Sequence, residues 1–158
     1  MKNYVAAFAA IAPLLMTFFA GAGLPVQAAL NSRLGREFGS PLFGSFFSFC
    51  IGTVSVLLFV LISRVAAPVG GFGAVAARLP WWLWLGGVIG AVFVSVAAMY
   101  AGRLGVTVFS ATVIAGQLVA SVILDHFGIL VAERHPVSAL RLFGIALLIA
   151  GIALIRRG

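Results

Sequence analysis

Charge is what this chain has least of. Only 8% of its 158 residues are Asp, Glu, Lys or Arg, and three of them are acids. With 63% hydrophobic residues and a mean hydropathy of +1.23, there is too little polar surface to cover a water-soluble globule. A soluble enzyme or binding domain is thereby excluded, and an integral membrane protein is expected. Cysteine is nearly absent too. The single Cys50 rules out an intramolecular disulfide, and its place inside an apolar run predicts a small buried side chain rather than a reactive thiol. The chain has no CxxC, HExxH or similar metal spacing and no Walker-type glycine loop, so neither metal chemistry nor ATP-driven work is expected. No cofactor is expected, and the chain does not read as an enzyme.

What charge there is carries one sign. Ten Lys and Arg oppose three Asp and Glu, a net +7. The basic residues mostly stand where apolar runs end, without a basic cluster or interleaved aromatics, so they read as membrane-end anchors and not as a nucleic-acid surface.

Five apolar stretches predict five transmembrane helices, over about 4–30, 41–63, 80–101, 104–125 and 139–155, in one all-α domain covering 1–158. Lys2, an apolar run and small residues near Ala28 have the outline of a secretory signal peptide. The run from Tyr4 to about Leu30 is long enough to span when tilted, and a retained first helix is expected, with Pro13 and Pro25 as kinks. Residues Asn31 to Ser40 read as a short loop. The stretch between Arg64 and Arg78 is too rich in Gly, Ala and Pro for a span and reads as an interfacial loop. Trp81, Trp82 and Trp84, at the start of the third helix, are anchors at headgroup level. Gly102, Arg103 and Gly105 predict a tight turn into the fourth helix.

Two polar stripes interrupt this pattern. On the first helix Gln27 and Asn31 stand four residues apart, hence about 40° apart on one face, with Gly23 a turn earlier. An unpartnered amide in hydrocarbon costs several kcal/mol, so that face looks into protein or a wet cavity. On the fourth helix Thr107, Ser110, Gln117, Ser121 and Asp125 share a stripe, with Gln117 near mid-membrane. Hydroxyls can bond their own backbone, so the weight of that stripe rests on Gln117. Helix packing and solute lining remain open readings for both. The second helix adds a small-residue face of Ser45, Ser48, Gly52 and Ser55, for which packing is the default. Asp125 and Arg141 lie on the same membrane side and are candidates for an ion pair, with a proton relay as the alternative. In the fifth helix Gly144 and Gly151 share one face, where another helix could approach closely, and mark a dimer interface.

The run GLPVQAALNSRLG of the first helix, GVTVFSATVIAGQ of the fourth and GIALLIAG of the fifth resemble the drug/metabolite transporter superfamily, above all its five-helix YdcZ-like branch. That resemblance implies half of an inverted-repeat ten-helix exporter, one that pairs with a second copy. The related four-helix small multidrug resistance proteins form antiparallel dimers, with a glycine spacing in the last helix matched here by Gly144 and Gly151. Those exporters depend on a carboxylate in mid first helix. Here the corresponding stretch offers Gly23, Leu24 and Gln27, which argues against proton-coupled export of cationic drugs.

Charge placement bears on the pairing. With five spans, Lys2, Arg64, Arg78, Arg134 and Arg141 fall on one side and Arg33, Arg36, Arg103, Arg156 and Arg157 on the other. A five-to-five tie leaves the positive-inside rule nothing to read. The expected protein is an inner (plasma) membrane transporter, acting as an antiparallel homodimer of dual topology in the lipid bilayer. It would move a small polar solute, by alternating access, past Gln27, Asn31, Gln117, Ser110, Ser121 and Ser48. A dual-topology ion channel and a non-transporting membrane subunit are the alternative readings.

Overall fold

The computed structural model describes residues 2–130 and 133–157. Its elements are α1 (Lys2–Glu37), α2 (Pro41–Ile62), α3 (Gly71–Arg78), a 3₁₀ turn (Trp81–Trp84) leading into α4 (Leu85–Leu104), α5 (Val106–Phe127) and α6 (Ala139–Arg157). No strand occurs among the described residues. Among the described residues, five helices are long and apolar enough to cross a membrane: α1, α2, α4 with its 3₁₀ turn, α5 and α6. At most 17% of any spanning window is buried within the chain. Such an inside-out distribution suits a protein whose solvent is lipid.

Local chemistry sets the helix ends. Gly39 takes a left-handed φ of +76° and stops α1, and its N–H donates to the Arg36 carbonyl at 3.2 Å. Ser40 then caps α2, its hydroxyl accepting the Leu42 N–H at 3.3 Å, with Pro41 in the first helical position where no N–H is needed.

Several boundaries differ from those expected. The loop expected at Asn31–Ser40 is helical through Glu37. Nothing before Gly39 breaks the helix, and Arg33, Arg36 and Glu37 continue it as a polar extension. The expected turn at Gly102–Gly105 shrinks to Gly105, at φ +80°, because Gly102 and Arg103 remain in α4. The expected loop between Arg64 and Arg78 contains α3, eight residues entered through Gly70 in the left-handed region. Cys50 is exposed on the chain rather than buried. A thiol is weakly polar, so facing acyl chains or a neighbour costs it little.

Contacts divide the chain into two compact units, Val26–Gly102 and a second formed by Met1–Pro25 with Arg103–Gly158. The α1 boundary falls at Pro25, which has no N–H to give to the helix. In the first unit, the buried residues are small. Ala28, Asn31 and Ser32 come from α1, Gly44 and Ser45 from α2, and Ala97, Ala98 and Ala101 from α4. Lipid tails are as apolar as leucine, so helices gain little by hiding apolar surface from them. Close van der Waals approach takes over, and small residues permit it. The tightest approach is α2 on α1. A Cβ at Gly44 would collide with the backbone carbonyl of Asn31, and one at Gly35 would sit 2.8 Å from the Cα of Pro41. At the end of α4, a Cβ on Gly102 would lie 2.7 Å from the Ser32 hydroxyl, which itself accepts from Arg36 Nη1 at 3.2 Å. In the second unit Phe109 is buried, and α5 and α6 pack together.

These clashes rank three substitutions. Gly44→Ala meets backbone and should destabilise the fold by about 1–3 kcal/mol. Gly102→Ala meets a side chain that can turn away and should cost less. Gly116→Ala, with open space around it, should leave the melting temperature unchanged or slightly raised. Thermal unfolding of the purified chain in detergent checks the order. An undiminished melting temperature in Gly44→Ala contradicts the close contact.

Candidate functional site

In the unit Val26–Gly102 an open cleft of about 460 Å³ lies among three helices. Gln27 of α1 contributes one wall and Val94 of α4 another. From α2 come Ser48, Phe49, Gly52, Thr53 and Val56, whose spacings of three and four keep them on one helical face. Every lining residue is uncharged. Gln27 Nε2 donates to Ser48 Oγ at 3.4 Å, near the long limit for a hydrogen bond. The contact is weak, and it leaves the Gln27 carbonyl, its second N–H and the Ser48 hydroxyl proton free for other partners. The cleft thus offers the donors and acceptors of Gln27, Ser48 and Thr53 without net charge, on walls otherwise of Phe, Val and Gly.

Asn31 stands one turn beyond Gln27 and is almost fully buried, 5% exposed. Its Nδ2 is a buried side-chain polar atom without a hydrogen-bond partner among the described residues. Leaving such a donor unmet costs about 1–3 kcal/mol. The position is held by the same joint that closes α1 on α2, since Gly44 abuts the Asn31 carbonyl. The two amides expected on one face therefore meet different surroundings: Gln27 opens on the cleft, and Asn31 is sealed beside it.

The other expected residues lie in the second unit. Gln117 is exposed on α5 and Ser110 is half-buried there. Ser121 returns its hydroxyl proton to the Leu118 carbonyl at 2.9 Å, as a membrane serine can without outside help. Asp125 Oδ2 accepts from Arg141 Nη1 at 3.5 Å. Gly144 stands beside Ser121, Asp125 and Arg141 along a groove between α5 and α6, and Gly151, farther along α6, is half-buried with open space where a Cβ would be.

Sequence reasoning missed Phe49, Thr53, Val56 and Val94 in the cleft. Phe49 and Thr53 lie next to the Ser48 and Gly52 stripe, so continuing the same helical face would have found them. It also missed how the α5–α6 connection is tied down. His126 Nδ1 accepts the Val137 N–H at 3.2 Å, and Arg134 Nε donates to the His126 carbonyl at 2.6 Å. Contacts between residues eight and eleven apart in a loop leave no periodic signal.

Among the described residues no group of His, Cys, Asp or Glu is placed to hold a metal ion. The five apolar helices found among the described residues define a polytopic membrane protein. A family model described as "Putative inner membrane exporter, YdcZ" matches residues 12–154, and the chain belongs to that family. The inner membrane protein YdcZ of Escherichia coli strain K12 is 29% identical over 142 residues, which cover 87% of this chain and 90% of that protein. No solved structure matches the chain. The protein is a multi-pass protein of the inner membrane.

The sealed amide gives a direct test. Asn31→Leu keeps the branched shape and the number of heavy atoms and removes the unmet donor, so it should raise stability or leave it unchanged. A fall in melting temperature as large as that of Gly44→Ala would mean that the Asn31 amide holds the joint together.

Proposed function

We propose that this protein exports a small, neutral or anionic polar solute across the inner membrane. The observation that carries the proposal is the Gln27–Ser48 pair at 3.4 Å in an uncharged cleft of about 460 Å³. A volume in this range suits a small metabolite, since ligand pockets run from about 300 to 1,000 Å³. The family's description as exporters supports the direction of travel. Without a carboxylate in the cleft, a bulky cation has no counter-charge, and an amide and hydroxyls recognise polar groups by hydrogen bonds. Gln27 and Ser48 bind the solute in this reading. Asn31, whose amide is unmet, gains a partner in another state of the cycle, and Gln117 and Ser110 of α5 offer the solute further polar groups.

The proposed assembly is an antiparallel homodimer of dual topology, two copies completing an inverted-repeat transporter. Alternating access then follows from symmetry: as the pair rocks, the copies exchange roles, and the inward and outward states are equivalent. The five-to-five distribution of Lys and Arg supports insertion in both orientations. On α6, Gly151 is the leading candidate for a close contact between copies, because Gly144 stands in the groove beside α5.

Two experiments test this reading. Gln27→Leu should lower solute flux into liposomes about tenfold or more. It should move stability little, because one interhelical side-chain bond in a membrane contributes about 0.6 kcal/mol. Undiminished flux per folded protein would remove Gln27 from the site, and a steady ionic current would identify a channel instead. For the assembly, two added arginines after Gly102 or after Pro68 should bias orientation oppositely. Each biased variant alone should be inactive, and co-expression should restore transport. Full activity from either alone would refute the antiparallel pair.

A further inference from the structure

A second concavity lies wholly within the unit that holds α5 and α6. It is a groove of about 320 Å³ lined by Leu118, Ser121 and Val122 of α5 and by Gly144, Ile145 and Leu148 of α6, with Asp125 and Arg141 at one end. Asp125 meets Arg141 at one end, and the other lining residues lie within seven positions of these two along their helices. Seven residues along each helix make the groove about 10 Å long at 1.5 Å per residue. Asp125 stands two residues before the end of α5 and Arg141 two after the start of α6, so the charged end lies at headgroup level. The remainder runs toward the hydrocarbon and is largely apolar.

The charged end is loosely closed. Arg141 Nη1 is 3.5 Å from both Asp125 Oδ2 and the His135 carbonyl, the outer limit of hydrogen bonding, and the two side chains are 45% and 31% exposed. An opposite pair so long and so accessible contributes little to stability. It does present a cation and an anion side by side, above an apolar trough.

We infer that this groove binds a zwitterionic phospholipid bearing a primary ammonium, of the phosphatidylethanolamine type. The phosphate would meet the guanidinium of Arg141, whose planar fork suits it. The ammonium would donate N–H bonds to Asp125, and the first part of an acyl chain would lie along Gly144, where the missing side chain leaves room. Charge complementarity selects this occupant. A purely anionic headgroup brings its charge against Asp125, and a quaternary choline has no N–H to give to that carboxylate. The lipid would brace the α5–α6 pair from the membrane side, independently of the solute cleft in the other unit.

The test uses the full chain, purified in a neutral detergent and delipidated. Phosphatidylethanolamine should raise the melting temperature in a concentration-dependent way, and phosphatidylglycerol and phosphatidylcholine should do so less. Asp125→Asn should weaken the response to phosphatidylethanolamine about tenfold in concentration, the loss expected for one charge-assisted hydrogen bond. Arg141→Gln should weaken the response to all three lipids, and Gly144→Leu should abolish it by filling the trough. Native mass spectrometry of the unmutated chain gives a reading that does not depend on how the variants fold: retained phosphatidylethanolamine should exceed its share of the supplied lipid mixture. Equal responses to the three lipids, or no enrichment in the retained lipid, would overturn the proposal. Loss of a dimer in Gly144→Leu with lipid binding intact would assign the groove to a second copy of the chain and also overturn it.

Discussion

Lipid gives two apolar helices almost no reason to leave it for each other, and the unit Val26–Gly102 is built on the answer to that constraint. Its helices meet through atoms that are absent. Gly44 lets α2 rest on the Asn31 carbonyl, Gly35 lets the start of α2 come in behind it, and Gly102 brings the end of α4 onto Ser32. Around these points the buried side chains are alanines, serines and one asparagine. Backbones at that distance gain many small dispersion contacts, each about 0.1–0.2 kcal/mol, and the sum replaces the hydrophobic effect that would close the same interface in water.

The same joint decides what the polar groups can do. A helix held that tightly at Asn31 cannot easily turn, so Gln27, one turn away, is delivered to the wall of the cleft and kept there. Ser48 reaches it from α2 with a weak bond. In the proposed function that weakness is useful, because an amide fully satisfied within the protein has nothing to offer a solute without first breaking a strong bond. Asn31 carries the opposite condition, a buried donor with no acceptor. A group in that state favours any rearrangement or ligand that satisfies it.

The unit containing α5 and α6 follows other rules. Its helices end in a connection tied by side chain to backbone, His126 to Val137 and Arg134 to the His126 carbonyl, and its one described ion pair sits at the water boundary where charge is cheap to keep. The hydroxyls of Thr112 and Ser121 return to their own helix. Gln117 alone on its stripe is an exposed, mid-helix amide, and the weight that the sequence places on it remains on a face turned out from this unit.

Length and hydropathy alone determined the membrane class, the five spans and their approximate limits, because an apolar run of about 20 residues in hydrocarbon must satisfy its backbone internally and has the helix as its solution. The amides were legible for the same reason, as groups too costly to face lipid. Helix ends were less legible. The run Asn31–Glu37 is polar, and polarity marks where the bilayer ends, not where the helix ends; Gly39 does that, through its left-handed φ. Tertiary structure alone decided that Gln27 meets Ser48 while Asn31 is sealed, and that Gly35, Gly44 and Gly102, rather than other glycines of the same helices, carry the close contacts. Periodicity assigns a residue to a face of its own helix. Which neighbour that face meets, and at what distance, is set by packing between segments remote in the chain, and a single helix carries no record of it.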